Sequence, residues 1–159
     1  MNDPQCLRMA DTVSREVRSR MMAGIRSRDT KPELILRRGL HALGFRFRIV
    51  DRTLPGRPDI VFPRYRAVIF AHGCFWHGHD CSLFRLPSTR EDFWRTKIAG
   101  NAKRDADSEE QLLQLGWRVM TVWECAMRGP GRMQLDGLLA ACALWIRSDS
   151  IRSHLRGSV

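Results

Sequence analysis

The densest run of chemically active residues is AHGCFWHGHDC at positions 71–81, where cysteines and histidines alternate with large aromatic residues. Thiolate sulfur and imidazole nitrogen are preferred ligands of zinc, and a structural zinc takes four of them in a tetrahedron. Cys74, His79 and Cys81 offer three such ligands, and Cys125 at the end of a predicted strand offers the fourth. Because four protein ligands leave no position open for a substrate, the pattern predicts a structural Zn²⁺ site. The spacing C-x₄-H-x-C is not a common zinc-finger spacing, so buried thiols without a metal remain the alternative.

A second candidate metal site involves Asp59, which begins the apolar run DIVF. The partner run AVIF at 67–70 leads directly to Ala71, and in a tight hairpin these two ends lie close together. Mg²⁺ takes oxygen ligands and binds through one or two carboxylates together with substrate phosphate. We therefore expect the Asp59 carboxylate and the Ala71 backbone carbonyl to hold Mg²⁺. The alternative is that Asp59 only completes the turn after Pro58.

Alternating helix and strand patterns surround these residues. The first helix has Thr30 as its N-cap and Gly44 as its terminator. In chain order the predicted elements are a helix at 30–44, strands at 45–50, 59–62 and 67–70, a helix at 89–115, a strand at 117–123 and a helix at 133–146. This order predicts an α/β fold with a mixed central β-sheet flanked by helices. A strand, helix and strand in one sheet also fits the usual parallel crossover.

The length of 159 residues bounds the chain to one domain, because it suffices for one buried core and is too short for two. We expect a flexible N-terminal extension at 1–10, a single domain at 11–147 and a polar C-terminal tail at 148–159. The first part of that domain, 11–28, is basic and amphipathic and is expected to form an arm.

The charge balance predicts a polyanionic partner. Lys and Arg number 27 against 17 Asp and Glu, which gives a formal net charge of +10. Nucleic acid fits this balance better than a membrane, because no apolar run is long enough to span a bilayer. A merely basic protein without such a partner is the alternative. The first residues lack the apolar core of a secretory signal, so we expect a cytoplasmic protein.

The run from Pro58 to His72 resembles the PD-(D/E)xK motif of restriction-endonuclease-like nucleases, with two departures. Phe70 stands where the second acid belongs and His72 where the lysine belongs. The same departures, together with LPGRPDIVF, YRAVIFAHGCFWHGHDC, LPSTREDFW and LGWRVMTVWEC, resemble the very short patch repair endonucleases. The resemblance runs from about Val17 to Trp145.

This resemblance implies a bacterial enzyme on a restriction-endonuclease-like fold. The family nicks double-stranded DNA on the 5′ side of the thymine in T:G mismatches that arise when 5-methylcytosine deaminates. The implied cofactors are a catalytic Mg²⁺ and a structural Zn²⁺, and the four zinc ligands above match the family's zinc site. We expect a monomer that lies in the cytoplasm with the nucleoid, binds no membrane and acts alone or alongside other DNA repair proteins.

The resemblance also assigns roles to individual side chains. Asp59 matches the metal-binding aspartate, and His72 and His77 match the two catalytic histidines. A neutral imidazole accepts a proton from water near pH 7, and a cationic one stabilises phosphate. We assign His77 as the base and His72 as the phosphate contact, although the chemistry allows the reverse. Asp105 or Glu33 could orient an imidazole, and Glu33 could instead serve only as a helix cap.

Large apolar side chains near these residues are candidates for contacts with the bases. Phe75 and Trp76 lie among the metal-binding and catalytic residues, and the resemblance adds Trp94 as a third ring that intercalates beside the mismatch. Inserting a side chain costs stacking energy that is lowest where pairing is already weak. The resemblance also implies that the N-terminal arm approaches the opposite groove, and by position Met22 and Ile25 are the matching residues of that arm. The remaining tryptophans are expected in the core, and they are Trp117, Trp123 and Trp145.

Two alternatives remain at this point. Ala71 stands where the family usually has threonine, and the second acid is absent, so a zinc-stabilised module could bind distorted DNA without cutting it. The zinc could also be catalytic, as in a hydrolase or a base deaminase. The H-x-E and P-C-x-x-C pattern of deaminases is absent from the sequence, however.

Overall fold

The computed structural model of the protein describes residues 14, 16–17, 28–49 and 51–158. It divides into two compact units, 1–30 and 31–159. In the first unit the backbone N–H of Val17 donates a hydrogen bond to Ser14 Oγ over 3.3 Å. The predicted extension at 1–10 and most of the predicted arm, including Met22 and Ile25, lie outside the described residues.

The second unit holds one four-stranded sheet and three helices. The helices are α1 (Lys31–Ala42), α2 (Glu91–Gln114) and α3 (Leu135–Arg147). The strands are β1 (Ile60–Phe62), β2 (Ala67–His72), β3 (Arg118–Trp123) and β4 (Arg152–Leu155). Their spatial order is β1-β2-β3-β4, and β1 pairs antiparallel with β2 while the other two pairs are parallel. The predicted mixed sheet is therefore confirmed.

Side chains alternate between the two faces of this sheet, as the period of two in a strand requires. Ile69 of β2 and Met120 of β3 belong to one buried cluster, together with residues of α1 and α3. Val68 and Val119 belong to a second cluster, which includes Leu112 of α2. Helices thus cover both faces, and the α2 side carries the smaller cluster.

The run FRFRIV at 45–50 differs from the predicted strand. Its one pairing among the described residues is an isolated bridge between Arg48 and Val61. Phe45 and Phe47 pack edge-to-face on Phe62, with ring centroids 5.9 and 5.7 Å apart. The alternation in the sequence therefore reports side-chain packing beside a three-residue strand, and a continuous ladder does not form.

Three further features concern helix boundaries and the end of the chain. Leu43 lies one residue past the end of α1, and 48% of its surface is exposed. Helix α2 runs without a break through Gly100. The predicted polar tail at 148–159 contains β4, because parallel pairing with β3 satisfies its backbone even though its side chains are polar. Within the described residues, no helix combines the length and apolar character needed to cross a membrane.

Candidate active site and metal centre

The candidate site lies at one edge of the sheet, where β2 and β3 end together. His72 is the last residue of β2 and pairs in register with Trp123, the last residue of β3. Because the two strands are parallel, the segments that follow them leave the sheet at the same edge. The segment after β2 carries the run at 73–81, and the segment after β3 carries Cys125. The topology therefore brings together the two parts of the sequence that hold the candidate metal ligands.

Asp59 stands immediately before β1 and faces the end of β2. The Asp59 Oδ2 atom accepts a hydrogen bond from the backbone N–H of Ala71 over 2.8 Å. The pKa of Asp59 is raised to about 6, mainly by burial; the hydrogen bond from Ala71 opposes the rise, and the nearby charge of Glu33 adds to it. A carboxylate whose ionised form is this unfavourable gains most from a neighbouring cation. The environment therefore fits a divalent ion.

The Ala71 contact uses the backbone and so does not depend on the side chain at that position. In an extended strand the N–H and C=O groups of a hydrogen-bonded residue point to the same side. Both backbone groups of Ala71 are therefore directed towards Asp59. The Ala71 methyl group instead packs against the core cluster of α1 and α3. The alanine that departs from the expected threonine thus keeps the backbone geometry that the Mg²⁺ prediction needs.

Glu33 is buried in the first turn of α1, with 3% of its surface exposed. Its Oε2 atom accepts a hydrogen bond from Arg37 Nη2 at 2.8 Å, and the same nitrogen donates to the Asp59 carbonyl at 3.2 Å. Glu33 therefore belongs to the surroundings of Asp59 and is more than an exposed helix cap.

His72 and His77 form a stacked pair, with ring centroids 3.9 Å apart and planes inclined by 3°. His77 Nδ1 contacts the Asp105 Oδ2 atom, which projects from α2. Of the two carboxylates considered in the sequence, Asp105 therefore contacts this imidazole. The pKa of His72 is lowered to about 3, first by loss of water around the ring and then by His77 beside it. The pair thus combines a neutral ring with a ring held by a carboxylate.

His72, His77 and Asp105 bring their possible ligand atoms within 4.8 Å of one another, so they form a second candidate metal cluster. The stacked geometry argues against one shared ion. An imidazole binds a metal through a nitrogen lone pair in the plane of its ring. Two nearly parallel planes separated by a stacking distance do not meet at one point. The geometry therefore favours two separate imidazoles over a shared ion.

Cys74, His79, Cys81 and Cys125 converge, with their ligand atoms all within 4.8 Å of one another. With Zn–S near about 2.3 Å and Zn–N near about 2.0 Å, a tetrahedral site places sulfur and nitrogen roughly 3.5 Å apart. The Cys125 Sγ atom lies 3.6 Å from His79 Nδ1. The pKa of Cys74 is raised by burial, and nearby Cys81 and Cys125 add to the rise, so a bound cation would favour the thiolates. The predicted four-ligand set therefore fits a zinc ion.

Backbone contacts hold the segment at 73–81, which carries both His77 and three of the candidate zinc ligands. The His79 N–H donates to the Cys74 carbonyl over 3.0 Å, and the Cys74 N–H donates to Glu124 Oε2 over 3.3 Å. Gly78 has φ +63° and approaches α2 so closely that a Cβ atom would lie 2.7 Å from Ile98 Cγ2. Only glycine meets both requirements easily. The segment is therefore seated directly against the helix.

Phe75, Trp76 and Trp94 form a half-buried aromatic cluster beside this segment. The Phe75 ring lies 5.1 Å from Trp76 and 5.4 Å from Trp94, both edge-to-face. The Trp76 carbonyl accepts a hydrogen bond from Asn101 Nδ2 over 2.7 Å, which fixes its backbone to α2. The three predicted rings thus form one connected surface and are not dispersed in the core.

Several residues at this site were not predicted from the sequence. Trp123 was assigned to the core, yet its indole stacks on His79 with centroids 4.0 Å apart and lies edge-to-face with His72 at 5.5 Å. The Lys97 ammonium lies 5.5 Å from the Trp76 ring and 5.6 Å from the Trp94 ring. The position of Lys97 one turn after Phe93 and Trp94 on α2 was the available signal. For Trp123 the signal was its place two residues before Cys125.

Comparison with known proteins places these features in a family context. The family model described as DNA mismatch endonuclease Vsr matches residues 10–83. The chain is 47% identical over 147 residues to the DNA mismatch endonuclease Vsr of Escherichia coli K12, covering 92% of this chain and 94% of that protein. It is 47% identical over 126 residues to the type II nicking enzyme V.XorIIP of Xanthomonas oryzae, covering 79% of this chain and 93% of that protein. It is 42% identical over 120 residues to the type II nicking enzyme V.NmeAIP of Neisseria meningitidis, covering 76% and 86%.

Proposed function

The chain belongs to the DNA mismatch endonuclease Vsr family, and on this premise we propose that it nicks duplex DNA on the 5′ side of the thymine in a T:G mismatch. It is an endonuclease, and its substrate is DNA. The proposal covers the T:G mismatch, the strand that is cut, the Mg²⁺ and Zn²⁺ ions and the roles of individual residues. We place this activity in the bacterial cytoplasm, at the nucleoid, with a monomer as the active unit.

One observation carries the catalytic part of the proposal. The stacked pair of His72 and His77, with Asp105 against His77, lies at the strand end where Ala71 holds Asp59. Hydrolysis of a phosphodiester needs a base for water, a contact for the phosphate and a compensating positive charge. His77, His72 and Asp59 lie at one edge of the sheet and could supply the base, the phosphate contact and the ligand of a positive ion.

Asp59 and the Ala71 carbonyl would hold Mg²⁺, with Glu33 adding negative charge nearby. When bound, Mg²⁺ would lower the pKa of the attacking water and offset negative charge on the phosphate. The raised pKa of Asp59 supports this assignment, because burial disfavours the charged carboxylate and a bound cation would compensate for that loss of water. The ion pair of Glu33 with Arg37 keeps that second carboxylate in a fixed position.

His77 acts as the general base in this proposal. Its Nδ1 atom faces Asp105, so the opposite nitrogen, Nε2, is left to accept a proton from water. Asp105 would then stabilise the imidazolium that forms, and it holds the ring in one tautomer. His72 remains neutral because its pKa is lowered to about 3. It would contact the phosphate as a hydrogen-bond donor, without a full positive charge.

The aromatic cluster supports the mismatch preference. Three connected rings at 75, 76 and 94 present a stacking surface beside the candidate catalytic residues. Base–aromatic stacking returns roughly 1–3 kcal/mol per base, while opening a base step costs a few kcal/mol. The balance favours insertion where pairing is weak. Lys97 beside two of the rings adds positive charge towards the DNA backbone.

The zinc ion in this proposal is structural. The candidate ligands Cys74, His79 and Cys125 are almost fully buried, and four ligands leave no open coordination position. A catalytic zinc would need such a position for water or substrate. The closed arrangement therefore supports assigning the chemistry to the neighbouring group of Asp59, His72 and His77.

The test uses end-labelled duplexes that differ only at one pair, T:G, T:A or C:G. The expected result is a single nick on the thymine-bearing strand of the T:G duplex when Mg²⁺ is present. The control reaction omits Mg²⁺ and contains no chelator, because a chelator would also compete for zinc. Intact strands after long incubation would refute the nicking activity, and equal cutting of all three duplexes would refute the mismatch preference.

Trp76→Ala tests the aromatic cluster in the same assay. We expect binding to the T:G duplex to fall by about tenfold, as the loss of one stacked base–aromatic contact predicts, with a smaller change for the T:A duplex. The matched control is Trp117→Ala, which removes a half-buried indole near the start of β3. An equal loss on both duplexes for Trp76→Ala would show that the ring does not contribute to mismatch selection.

A further inference from the structure

We infer that the end of the chain, residues 155–158, is a working part of the metal centre and controls how tightly zinc is retained. In particular, Arg156 acts as a positioning residue for His79 through Asp80, and Gly157 supplies a backbone hydrogen bond to the Cys125 sulfur. This inference rests on the zinc site proposed above. It concerns a segment that the sequence patterns assign to a polar tail.

The sheet topology delivers this segment to the metal centre. Leu155, the last residue of β4, pairs with Val122 in the neighbouring strand β3. Because β3 and β4 are parallel, the residues after them leave at the same edge of the sheet. Cys125 lies three positions after Val122, and Gly157 lies two positions after Leu155. The chain end therefore runs beside the candidate ligand, and Gly157 is buried there.

The first direct contact is made to sulfur. The Gly157 N–H donates a hydrogen bond to Cys125 Sγ over 3.3 Å, and the Cys125 N–H donates in turn to Cys74 Sγ over 3.3 Å. Donors of this kind favour a negatively charged sulfur. A Cβ atom at position 157 would lie 2.4 Å from the Cys125 carbonyl and 2.7 Å from the Gly131 carbonyl. Only glycine lets the backbone come this close.

The second contact is made through the imidazole ligand. His79 Nδ1 faces the Cys125 sulfur, and His79 Nε2 lies 3.7 Å from the Asp80 Oδ1 atom. Arg156 then holds Asp80 at two points. Its Nη1 atom lies 3.0 Å from Asp80 Oδ1, and its Nη2 atom donates to the Asp80 carbonyl over 2.8 Å. A carboxylate behind a metal-binding imidazole fixes the ring and makes it a stronger ligand.

The competing explanation is an ordinary surface ion pair. The Asp80 side chain is 83% exposed, and exposed pairs contribute little to stability. Two features distinguish this pair from an ordinary one. Arg156 contacts both the carboxylate and the backbone of Asp80, and the residue beside Asp80 is a candidate ligand. The expected effect therefore falls on metal retention, with little change in the stability of the fold.

The test measures the rate at which zinc passes from the full-length protein to an excess of a coloured chelator. For Arg156→Ala we expect release about tenfold faster, the lower end of the range for partners of metal ligands. The matched control is Arg152→Ala, which removes an arginine from β4 whose partners are Glu109 and Glu110. Equal release rates for Arg156→Ala and the unchanged protein would overturn the inference.

Three further variants test the route through Asp80. Asp80→Ala should speed release to a similar degree, and adding Arg156→Ala to it should produce little more, because both changes interrupt one path. Arg156→Lys should restore part of the retention, since lysine keeps the charge but loses the second contact. If the two alanine effects simply multiply, Arg156 does not act through Asp80.

Spectroscopy separates positioning from a general loss of structure. With Co²⁺ in place of zinc, Arg156→Ala should shift the visible absorption bands that report coordination geometry, while far-ultraviolet circular dichroism stays unchanged. Metal analysis of the unchanged protein separates the two proposals. If the protein holds no zinc, the structural zinc itself is refuted. If it holds zinc and the variants release it at the normal rate, only the role of the chain end is refuted.

Discussion

Two groups of side chains that contain histidine lie a few residues apart, and their surroundings differ sharply. His79 lies in a closed cluster with Cys74 and Cys125, and all three are almost fully buried. His72, His77 and Asp105 form an open group, whose side chains are only partly buried. The first group offers four candidate ligands that face one another, whereas the second keeps part of its surface exposed. The comparison teaches that the proposed roles of these histidines, structural or reactive, follow from whether their partners leave room for substrate.

The two groups also differ in how the fold assembles them. The closed cluster joins the segment after β2 to the segment after β3, so it depends on the parallel pairing of those strands. The open group draws on Asp59, immediately before β1, and on Asp105 from α2. The closed cluster therefore fixes the position of the backbone on which the open group depends. Loss of the closed cluster should disturb both groups, and loss of the open group should disturb only one.

The largest effect is expected when the closed cluster loses a ligand. For Cys125→Ser we expect zinc content to fall well below one ion per chain and Tm to drop by about 10 °C or more, because structural zinc contributes folding energy directly. Nicking should fall with it. Metal analysis and thermal unfolding measure the two effects.

Cys142→Ser is the matched control, because it replaces a buried thiol on α3 that does not belong to the cluster. Its zinc content should stay normal even if Tm falls slightly. Normal zinc content in Cys125→Ser would break the comparison, since the cluster would then not depend on its fourth ligand.

The second effect concerns Asp59 and should separate activity from stability. Asp59→Asn should reduce nicking by about 1,000-fold or more, because it removes the negative charge proposed to hold Mg²⁺. Zinc content and binding to the T:G duplex should persist. The matched control is Asp107→Asn on the exposed surface of α2, which should nick normally.

The same change should stabilise the protein without Mg²⁺ at pH 8. The pKa of Asp59 is raised from 3.8 to about 6 in the folded state. Above pH 6 the carboxylate is ionised in both states and carries the full cost of burial, roughly 3 kcal/mol at most. Below about pH 4 it is protonated in both states and the cost disappears. Asp59→Asn should therefore raise Tm at pH 8 and leave it nearly unchanged at pH 4. A lower Tm at pH 8 would show that the ionised Asp59 carboxylate does not destabilise the fold.

Much of this site could be predicted because its candidate residues lie close together in short stretches of the sequence. Cys74, His79 and Cys81 stand within eight positions, and the two short apolar runs at 59–62 and 67–70 indicated the hairpin that brings Asp59 to Ala71. Residue type carries this information locally. The choice of Cys125 as fourth ligand also followed from its place at a strand end.

The parts that could not be predicted depend on contacts between distant segments. The run RSHL at 152–155 has no apolar alternation, and it forms β4 only because β3 offers an unpaired edge. Trp123 looks like a core residue by type, and its stacking on His79 depends on the register of β2 against β3. Neither property is encoded in the composition of its own segment.

The third effect concerns Asp105, the residue of α2 that contacts His77 in the open group. Asp105→Asn should lower kcat by about 100-fold, because the neutral amide neither stabilises an imidazolium nor secures the tautomer of His77. Zinc content should not change. Glu109→Gln, one turn further along α2 and paired with Arg152, is the matched control. If Asp105→Asn released zinc, the two groups would not be separable in the way their burial indicates.

The smallest effect should come from Trp123, a side chain that contacts both groups. Its indole stacks on His79 at 4.0 Å and meets the edge of His72 at 5.5 Å. Aromatic pairs contribute about 0.5–1.5 kcal/mol, which corresponds to roughly two- to tenfold in a rate. Trp123→Leu should therefore speed zinc release and slow nicking, each by several-fold. Trp123→Phe should lie between the two.

The matched control for that pair is Trp117→Leu, next to the opposite end of β3, where the ring packs under Arg66. It should change stability without changing zinc release. If Trp123→Leu alters zinc release but leaves the nicking rate intact, the indole belongs to the closed cluster alone. Parallel changes in both quantities would identify Trp123 as the contact through which the rigid cluster positions the reactive histidines.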